Sequence, residues 1–271
     1  METVLTFYNE AVDSIRRMDL TLLYVFSSVY FVTAILVFFI LFYGITAPYG
    51  RYARGGWGIF VNGKFAWFVQ EIPSFAIPVV FVLYDQNALK YNVMPNMLFF
   101  MLYSSHYFQR ACIFPFLIKG GKPTPFIPFL MALIFCLVNG YLQSAYLLHH
   151  AEYGPDWWTK PHIYIGCFMF VFGMAVNIHS DHILRNLRKP GETGYKIPKG
   201  GMFNFVSGAN FFGEILEWAG FAIATWCIPA LAFSFFTCCN IGPRAWQHHQ
   251  YYLQKFEDYP KDRKAVIPFI L

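Results

Sequence analysis

Residues 21–43, TLLYVFSSVYFVTAILVFFILFY, contain no Asp, Glu, Lys or Arg. A run of that length and apolarity matches the roughly 20 residues an α-helix needs to cross the hydrocarbon core of a bilayer. It is one run of several. Of 271 residues, 57% are hydrophobic and only 13% charged, a balance that fits a bundle of membrane spans rather than a soluble core. Further apolar runs at about 66–84, 93–117, 125–148, 162–184, 203–226 and 228–250 bring the expected transmembrane helices to seven. The boundary between the last two is the least marked. The expected fold class is an all-α integral membrane protein with one domain over 1–271, made of a divergent N-terminal helix and interfacial loop (1–65) and a bundle carrying the chemistry (66–271). The residues before the first span include Glu2, Glu10 and Asp13, unlike a basic cleavable signal, so that span is expected to be retained.

Charge asymmetry gives the orientation, because Lys and Arg stay on the cytoplasmic side. Sixteen of the 20 basic residues lie at one face: Arg51, Arg54 and Lys64; Arg110, Lys119 and Lys122; Arg185, Arg188, Lys189, Lys196 and Lys199; Arg244, Lys255, Lys261, Arg263 and Lys264. Only Arg16, Arg17, Lys90 and Lys160 lie at the other. The N-terminus is therefore expected outside or lumenal and the C-terminus cytoplasmic, in the endoplasmic reticulum membrane of a eukaryote or the inner membrane of a bacterium. The net charge of +5 follows from this asymmetry and calls for acidic lipid or a phosphorylated ligand, not nucleic acid. No obligate protein partner is evident. The six cysteines fall in or beside apolar runs without paired or ligand-like spacing, so neither a disulfide nor a zinc site is expected.

Two loops stand out. In GRYARGGWGIFVNGKFAW (50–67), Arg51, Arg54 and Lys64 suit lipid headgroups, while Trp57, Phe60 and Trp67 suit interfacial anchoring. Its GGWG lacks the spacing of a dinucleotide fingerprint. In HHAEYGPDWWTKPH (149–162), His149, His150, Glu152, Asp156 and His162 have no compact ligand spacing, which points to solvated histidines rather than a metal site.

Polar residues inside the spans carry the functional argument, because each is costly in a bilayer unless satisfied. Gln70 and Glu71 open the second run, where burial would favour a neutral acid able to donate a hydrogen bond and an interfacial position would let Glu71 reach water. Tyr103, Tyr107 and Arg110 share a helical face, with His106 beside them. Asn139 and Gln143, at i and i+4, read as helix-to-helix glue. Asn177, Asp181, Arg185 and Arg188 form a stripe on the fifth helix, Asn210, Glu214 and Glu217 on the sixth, and Arg244, His248 and Tyr252 on the seventh. Between the first two stripes, Pro190, Gly191 and Pro198 break the helix and put a basic loop outside the bilayer. Asp181 could be spent on an internal ion pair with Arg185 or Arg188. Three converging stripes nevertheless imply a guest rich in donors and acceptors, and a dinucleotide fits. Asp181 and Glu214 would accept from ribose hydroxyls or a carboxamide, Arg188 and Arg244 would fork onto pyrophosphate, and Asn210 and His248 would meet amide or phosphate oxygens. Lys189, Lys196 and Lys199 offer a 2′-phosphate site, which favours NADPH.

The motifs VQEIPSF (69–75), HYFQR (106–110), NIHSDHILRNLRKPGE (177–192), SGANFFGEILEW (207–218), RAWQHHQYY (244–252) and KFEDYPKDRKAVIPFI (255–270) together resemble the steroid 5α-reductase family, from about Trp67 to Leu271. The resemblance implies reduction of the C4=C5 bond of 3-oxo-Δ4-steroids by NADPH, with Glu71 and Tyr107 polarising the 3-oxo group and Gln70, Trp218 and Asn240 on the substrate side. It implies coenzyme contacts at Asn177, Asp181, Arg188, Tyr195, Lys196, Asn210, Glu214, Arg244, His248 and Tyr252. Lys196 departs from an expected Arg, and Asn240 from an expected aromatic, which bears on the preferred steroid. The alternatives are an enoyl-CoA or polyprenol reductase of the same superfamily, or a non-catalytic sterol or lipid carrier.

Overall fold

The computed structural model describes residues 2–84, 90, 93–189, 192 and 194–271, with residues 2–17 described as backbone helix only. Pro190, Gly191 and the side chains of Glu2, Glu10, Asp13, Arg16 and Arg17 lie outside the described residues. The chain forms α1 (Glu2–Phe39), α2 (Gly63–Tyr84), α3 (Met94–Tyr107), a short α4 (Phe114–Leu117), α5 (Phe126–Ala145), α6 (Pro161–Asn186), α7 (Ala209–Thr225) and α8 (Ile228–Lys255). Four stretches, Met18–Gly44, Gly63–Tyr84, Phe126–His150 and Pro161–Asn186, are long and apolar enough to cross a membrane. Among the described residues, strand is confined to Phe60–Val61 paired antiparallel with Thr124–Pro125, which clips two loops together.

Single π turns extend three of the helices: Ile40–Gly44 after α1, Phe108–Ile113 after α3 and Tyr146–His150 after α5. The expected third span, 93–117, is thus α3, a π turn and α4 in series. The expected sixth span, 203–226, is shorter than its apolarity suggested. Gly201–Asn204 form an isolated 3-10 turn, and the Ser207 and Gly208 amides donate to Lys264 and Ala265 carbonyls, so the helix begins only at Ala209. At its other end Trp226 adopts the left-handed conformation (φ 49°) and Cys227 is extended, which separates α7 from α8.

Helices in a bilayer gain little from hydrophobic association and instead pack where small residues let backbones touch. The α6–α7 contact is built this way. A Cβ on Gly173 would lie 2.4 Å from the Glu217 amide nitrogen, and one on Gly213 would lie 2.5 Å from that of Asn177. Gly166 and Gly220 repeat the contact one level away, against Ala224 and Phe170. The two helices run antiparallel, so Asn177 stands level with Gly213 and Asn210. On the other side, Gly140 of α5 meets the Pro73 carbonyl of α2, and Ser74 Oγ donates to the Cys136 carbonyl at 2.9 Å. The first helix is more than lipid-facing scaffold: Tyr30 donates to the Phe135 carbonyl at 3.0 Å, and Gln247 of α8 donates to the Leu41 carbonyl at 2.6 Å.

Overpacking a closed contact typically costs about 1–3 kcal/mol. Gly173→Val should therefore lower the thermal midpoint in detergent by roughly 5 °C or more. Gly55→Ala, where a Cβ meets no heavy atom within 4 Å, should leave it unchanged. Equal midpoints for both variants would show that the glycine contact does not hold the bundle.

Candidate active site

The antiparallel helices set out a gradient from apolar and phenolic groups at one end to cations at the other. At the first end, Trp218 of α7 is almost wholly buried, with ring centroids 4.4 Å from Phe233, 5.8 Å from Tyr107 and 5.9 Å from Tyr103. Asn139 of α5 donates to the Tyr103 and Tyr107 hydroxyls at 3.1 and 3.0 Å. Cys136, one turn before it, donates to Glu71 Oε2 at 3.7 Å, and Gln70 Nε2 donates to Glu71 Oε1 at 3.3 Å. Gln70, Glu71, Tyr107 and Trp218 are therefore brought into one neighbourhood by α2, α3, α5 and α7.

Two buried pairs form the middle. His106 Nδ1 lies 2.7 Å from Glu217 Oε1, while Glu217 Oε2 is buried without a hydrogen-bond partner among the described residues. Arg110 Nη1 donates to Asp181 Oδ2 at 2.7 Å, and its guanidinium also lies over Trp67 and Phe114. This corrects one expectation: Asp181 pairs with Arg110 from another helix, not with Arg185 or Arg188. Trp67 is half-buried and packs on the Arg110 cation. The π turn is the local cause. It buries Gln109, Arg110 and Ala111 and turns Arg110 towards α6 while Tyr107 faces α5. Beside this pair, Asn177 Nδ2 donates to the Asn210 carbonyl at 3.0 Å.

At the cationic end, Arg244 lies over the rings of Tyr49 and Phe211 at 4.3 and 5.4 Å. His248 packs edge-on against Phe211 and Tyr52. Arg51, expected at lipid headgroups, instead turns inward. It donates to the Tyr252 hydroxyl at 2.8 Å, and its guanidinium is 4.8 Å from the rings of Tyr195, Tyr251 and Tyr252. Nothing in a basic, glycine-rich loop distinguishes this residue from its neighbours; its aromatic cage comes from α8 and the distant Tyr195. Arg188 falls past the end of α6, so the stripe stops short of it; it is exposed and donates to the Gly194 carbonyl at 3.4 Å. Lys196 pairs with Glu192, and that hydrogen bond holds the Glu192 carboxyl below its ordinary range.

The donor set fits a dinucleotide. Among the described residues, Glu214, Asn240, Arg244 and His248 are half-buried and their side chains make no hydrogen bond, and Arg51 Nη1 is buried without a partner. Unpartnered carboxylate, guanidinium and imidazole groups inside a bundle are costly unless something polar meets them. His149 and His150, expected to be solvated, are tied down. His150 Nε2 lies 2.7 Å from Asp19 Oδ2, and His149 stacks on Phe81. Among the described residues, no three His, Cys, Asp or Glu side chains are grouped to hold a metal.

The fold and this donor set define a helical membrane protein with a polar site enclosed by its helices. Residues 122–271 match the 3-oxo-5-alpha-steroid 4-dehydrogenase family. The chain is 50% identical over 236 residues to 3-oxo-5-alpha-steroid 4-dehydrogenase 1 of Bos taurus, covering 87% of this chain and 92% of that one. It is 50% identical over 222 residues to the Homo sapiens protein of the same name (82% and 85% covered), and 48% identical over 233 residues to 3-oxo-5-alpha-steroid 4-dehydrogenase 2 of Rattus norvegicus (85% and 91%). The chain belongs to the 3-oxo-5-alpha-steroid 4-dehydrogenase family, the steroid 5α-reductases, and is an oxidoreductase acting on CH–CH groups. A match of 236 residues is longer than 66–271, so the likeness extends into the N-terminal part that carries Arg51.

Removing one partner of a buried ion pair typically costs roughly 3–5 kcal/mol. Arg110→Met and Asp181→Leu should each lower the thermal midpoint steeply, and the double variant should lie above the sum of the two losses. Strict additivity would show that the pair is not coupled.

Proposed function

We propose that this protein reduces the C4=C5 double bond of 3-oxo-Δ4-steroids to the 5α-reduced ketones, with NADPH as the reductant. The observation that carries the proposal is the gradient itself: an apolar, phenol-bearing end around Trp218, Tyr103 and Tyr107 adjoins an end where Glu214, Arg244 and His248 have no hydrogen-bond partner. A fused apolar ring system with one ketone suits the first, and a phosphorylated dinucleotide the second.

On this reading Glu71 and Tyr107 are catalytic. NADPH, when bound, supplies a hydride to C5. As the electron pair moves onto the 3-oxo oxygen, Tyr107 and Glu71 polarise it, Tyr107 as a hydrogen-bond donor. Loss of one donor to a developing oxyanion typically costs about 2.7–4 kcal/mol. Gln70 and Trp218 flank the steroid, and Asn240, where an aromatic would be expected, tunes which steroid is preferred. Asn177, Asp181, Asn210, Glu214, Arg244, His248 and Tyr252 contact the coenzyme. Arg188, Tyr195 and Lys196 close over its phosphates from the loop, Lys196 exchanging Glu192 for phosphate, and Arg51 joins them from the other side. Asp181 acts while paired, which leaves its second oxygen to accept from a hydroxyl or carboxamide.

The chain is one reductase domain over 1–271, with seven crossings, the N-terminus lumenal and the C-terminus cytoplasmic. In a eukaryotic cell that places it in the endoplasmic reticulum membrane, with the coenzyme end facing the cytosol. The basic residues clustered at that end support this orientation.

Purified protein incubated with NADPH and a panel of 3-oxo-Δ4-steroids should consume NADPH and yield 5α-reduced ketones identified by mass spectrometry. Tyr107→Phe should lower kcat about 100-fold or more while NADPH still binds. Glu71→Gln should retain a donor and part of the activity. Arg188→Ala should raise the KM for NADPH with kcat little changed. Reduction of enoyl-CoA or polyprenol in place of steroids, or steroid binding with no NADPH consumed, would refute the proposal.

A further inference from the structure

The two amide side chains of α5 account for all four of their N–H groups. Gln143 Nε2 donates to the Pro229 carbonyl at 3.0 Å and to Asn139 Oδ1 at 3.3 Å. Asn139 Nδ2 donates to the Tyr103 hydroxyl at 3.1 Å and to the Tyr107 hydroxyl at 3.0 Å. All four side chains are 3% exposed or less, so the pattern is closed to bulk solvent.

Only one direction satisfies this chain. The Pro229 carbonyl can only accept, so Gln143 must present its NH2 to it. The second Gln143 N–H then needs an acceptor, which fixes Asn139 with its oxygen towards Gln143 and its NH2 towards the phenols. A phenol oxygen that accepts from an N–H keeps its own proton for another acceptor. The polarity of Tyr107 is thus set three residues away, by a backbone carbonyl in the first turn of α8.

We propose that Asn139 and Gln143 are positioning residues of the reduction: a two-amide relay, anchored on Pro229, that holds Tyr107 as a donor to the 3-oxo oxygen. The proposal rests on the role of Tyr107 given above. It adds what makes that role possible. With hydride at C5, the electron pair of the C4=C5 bond shifts to make the C3=C4 bond, and the C3=O pair moves to oxygen. The Tyr107 proton passes to that oxygen, giving the 3-enol and a phenolate. The Asn139 N–H already aimed at the phenol oxygen stabilises that charge. A proton from water then restores Tyr107, and the enol becomes the ketone by losing its O–H proton and gaining one at C4.

Asn139→Leu removes the N–H while keeping the branched shape of the side chain, and Asn139→Asp, of native size, replaces it with an acceptor that would draw the Tyr107 proton to itself. Hydrogen bonds to charged groups contribute about 1.5–3 kcal/mol, so each variant should lower kcat roughly 10- to 150-fold. The KM and binding constant for NADPH should stay within about twofold, because the relay touches no group at the coenzyme end. Asn139→Leu combined with Tyr107→Phe should be no slower than Tyr107→Phe alone, since Asn139 acts through that phenol. If Asn139→Leu does not fold, Asn139→Asp, of native size, reads the same quantities. A normal kcat for a folded Asn139 variant, or an undiminished further loss in the Tyr107→Phe background, would overturn the relay. Normal turnover by Tyr107→Phe itself would instead remove the role of Tyr107 on which the relay depends.

Discussion

The backbone contact between α6 and α7 is the constraint on which the site depends. Four glycines, two on each helix, bring the main chains so close that any side chain at those positions would collide with backbone. Because Gly173 sits one turn from Asn177, and Gly213 sits next to Glu214 and one turn from Glu217, this approach also fixes the spacing of the polar side chains. Lipid offers no hydrophobic gain for pairing helices, so the association relies on dispersion and on the one side-chain hydrogen bond from Asn177 to the Asn210 carbonyl. The helices that carry most of the polar groups are thus the pair with least freedom to move apart.

Around that pair the polar groups divide by whether they have partners. Arg110 pairs with Asp181 and His106 with Glu217 across helices, holding α3 against α6 and α7, although Glu217 Oε2 keeps no hydrogen-bond partner among the described residues. Glu214, Arg244 and His248, half-buried on α7 and α8, make no side-chain hydrogen bond among the described residues. On the reading proposed above, the groups without internal partners are those that meet the coenzyme, and Asp181 joins them through the oxygen that Arg110 leaves free.

The helical membrane fold was legible because apolarity over 20 residues has few other meanings in a chain this poor in charge. The 21–43 run and the second, fourth and fifth runs match helices within a few residues. The sixth did not, since Phe203 and Phe205 are apolar yet belong to a loop whose hydrogen bonds come from Lys264 and Ala265, some sixty residues on. Periodicity brought Asn177, Asp181, Asn210 and Glu214 to one place on facing helices. It could not show that the partner of Asp181 is Arg110, nor that Arg51 leaves its loop for Tyr252, because such pairings depend on how helices meet and not on spacing along one of them. Asn139 and Gln143 read as helix-to-helix glue, and they do join α5 to α3 and α8, but their particular partners were not legible. Their bonds to Tyr107 and Pro229 cross two helix boundaries that i, i+4 spacing says nothing about.

The π turn at Phe108–Ile113 lets one helix serve two compartments. In an uninterrupted α-helix each residue advances about 100° around the axis, so the bearing of Arg110 from Tyr107 would be fixed by their three-residue separation. Widening a single turn adds a step to that count and resets the bearing. A one-residue deletion there would restore ideal helical geometry and, by doing so, swing every side chain after it out of register with α6. Regularity at this point would be gained at the expense of the cross-helix pairing of Arg110 with Asp181, and any redesign of this scaffold must keep the irregular turn.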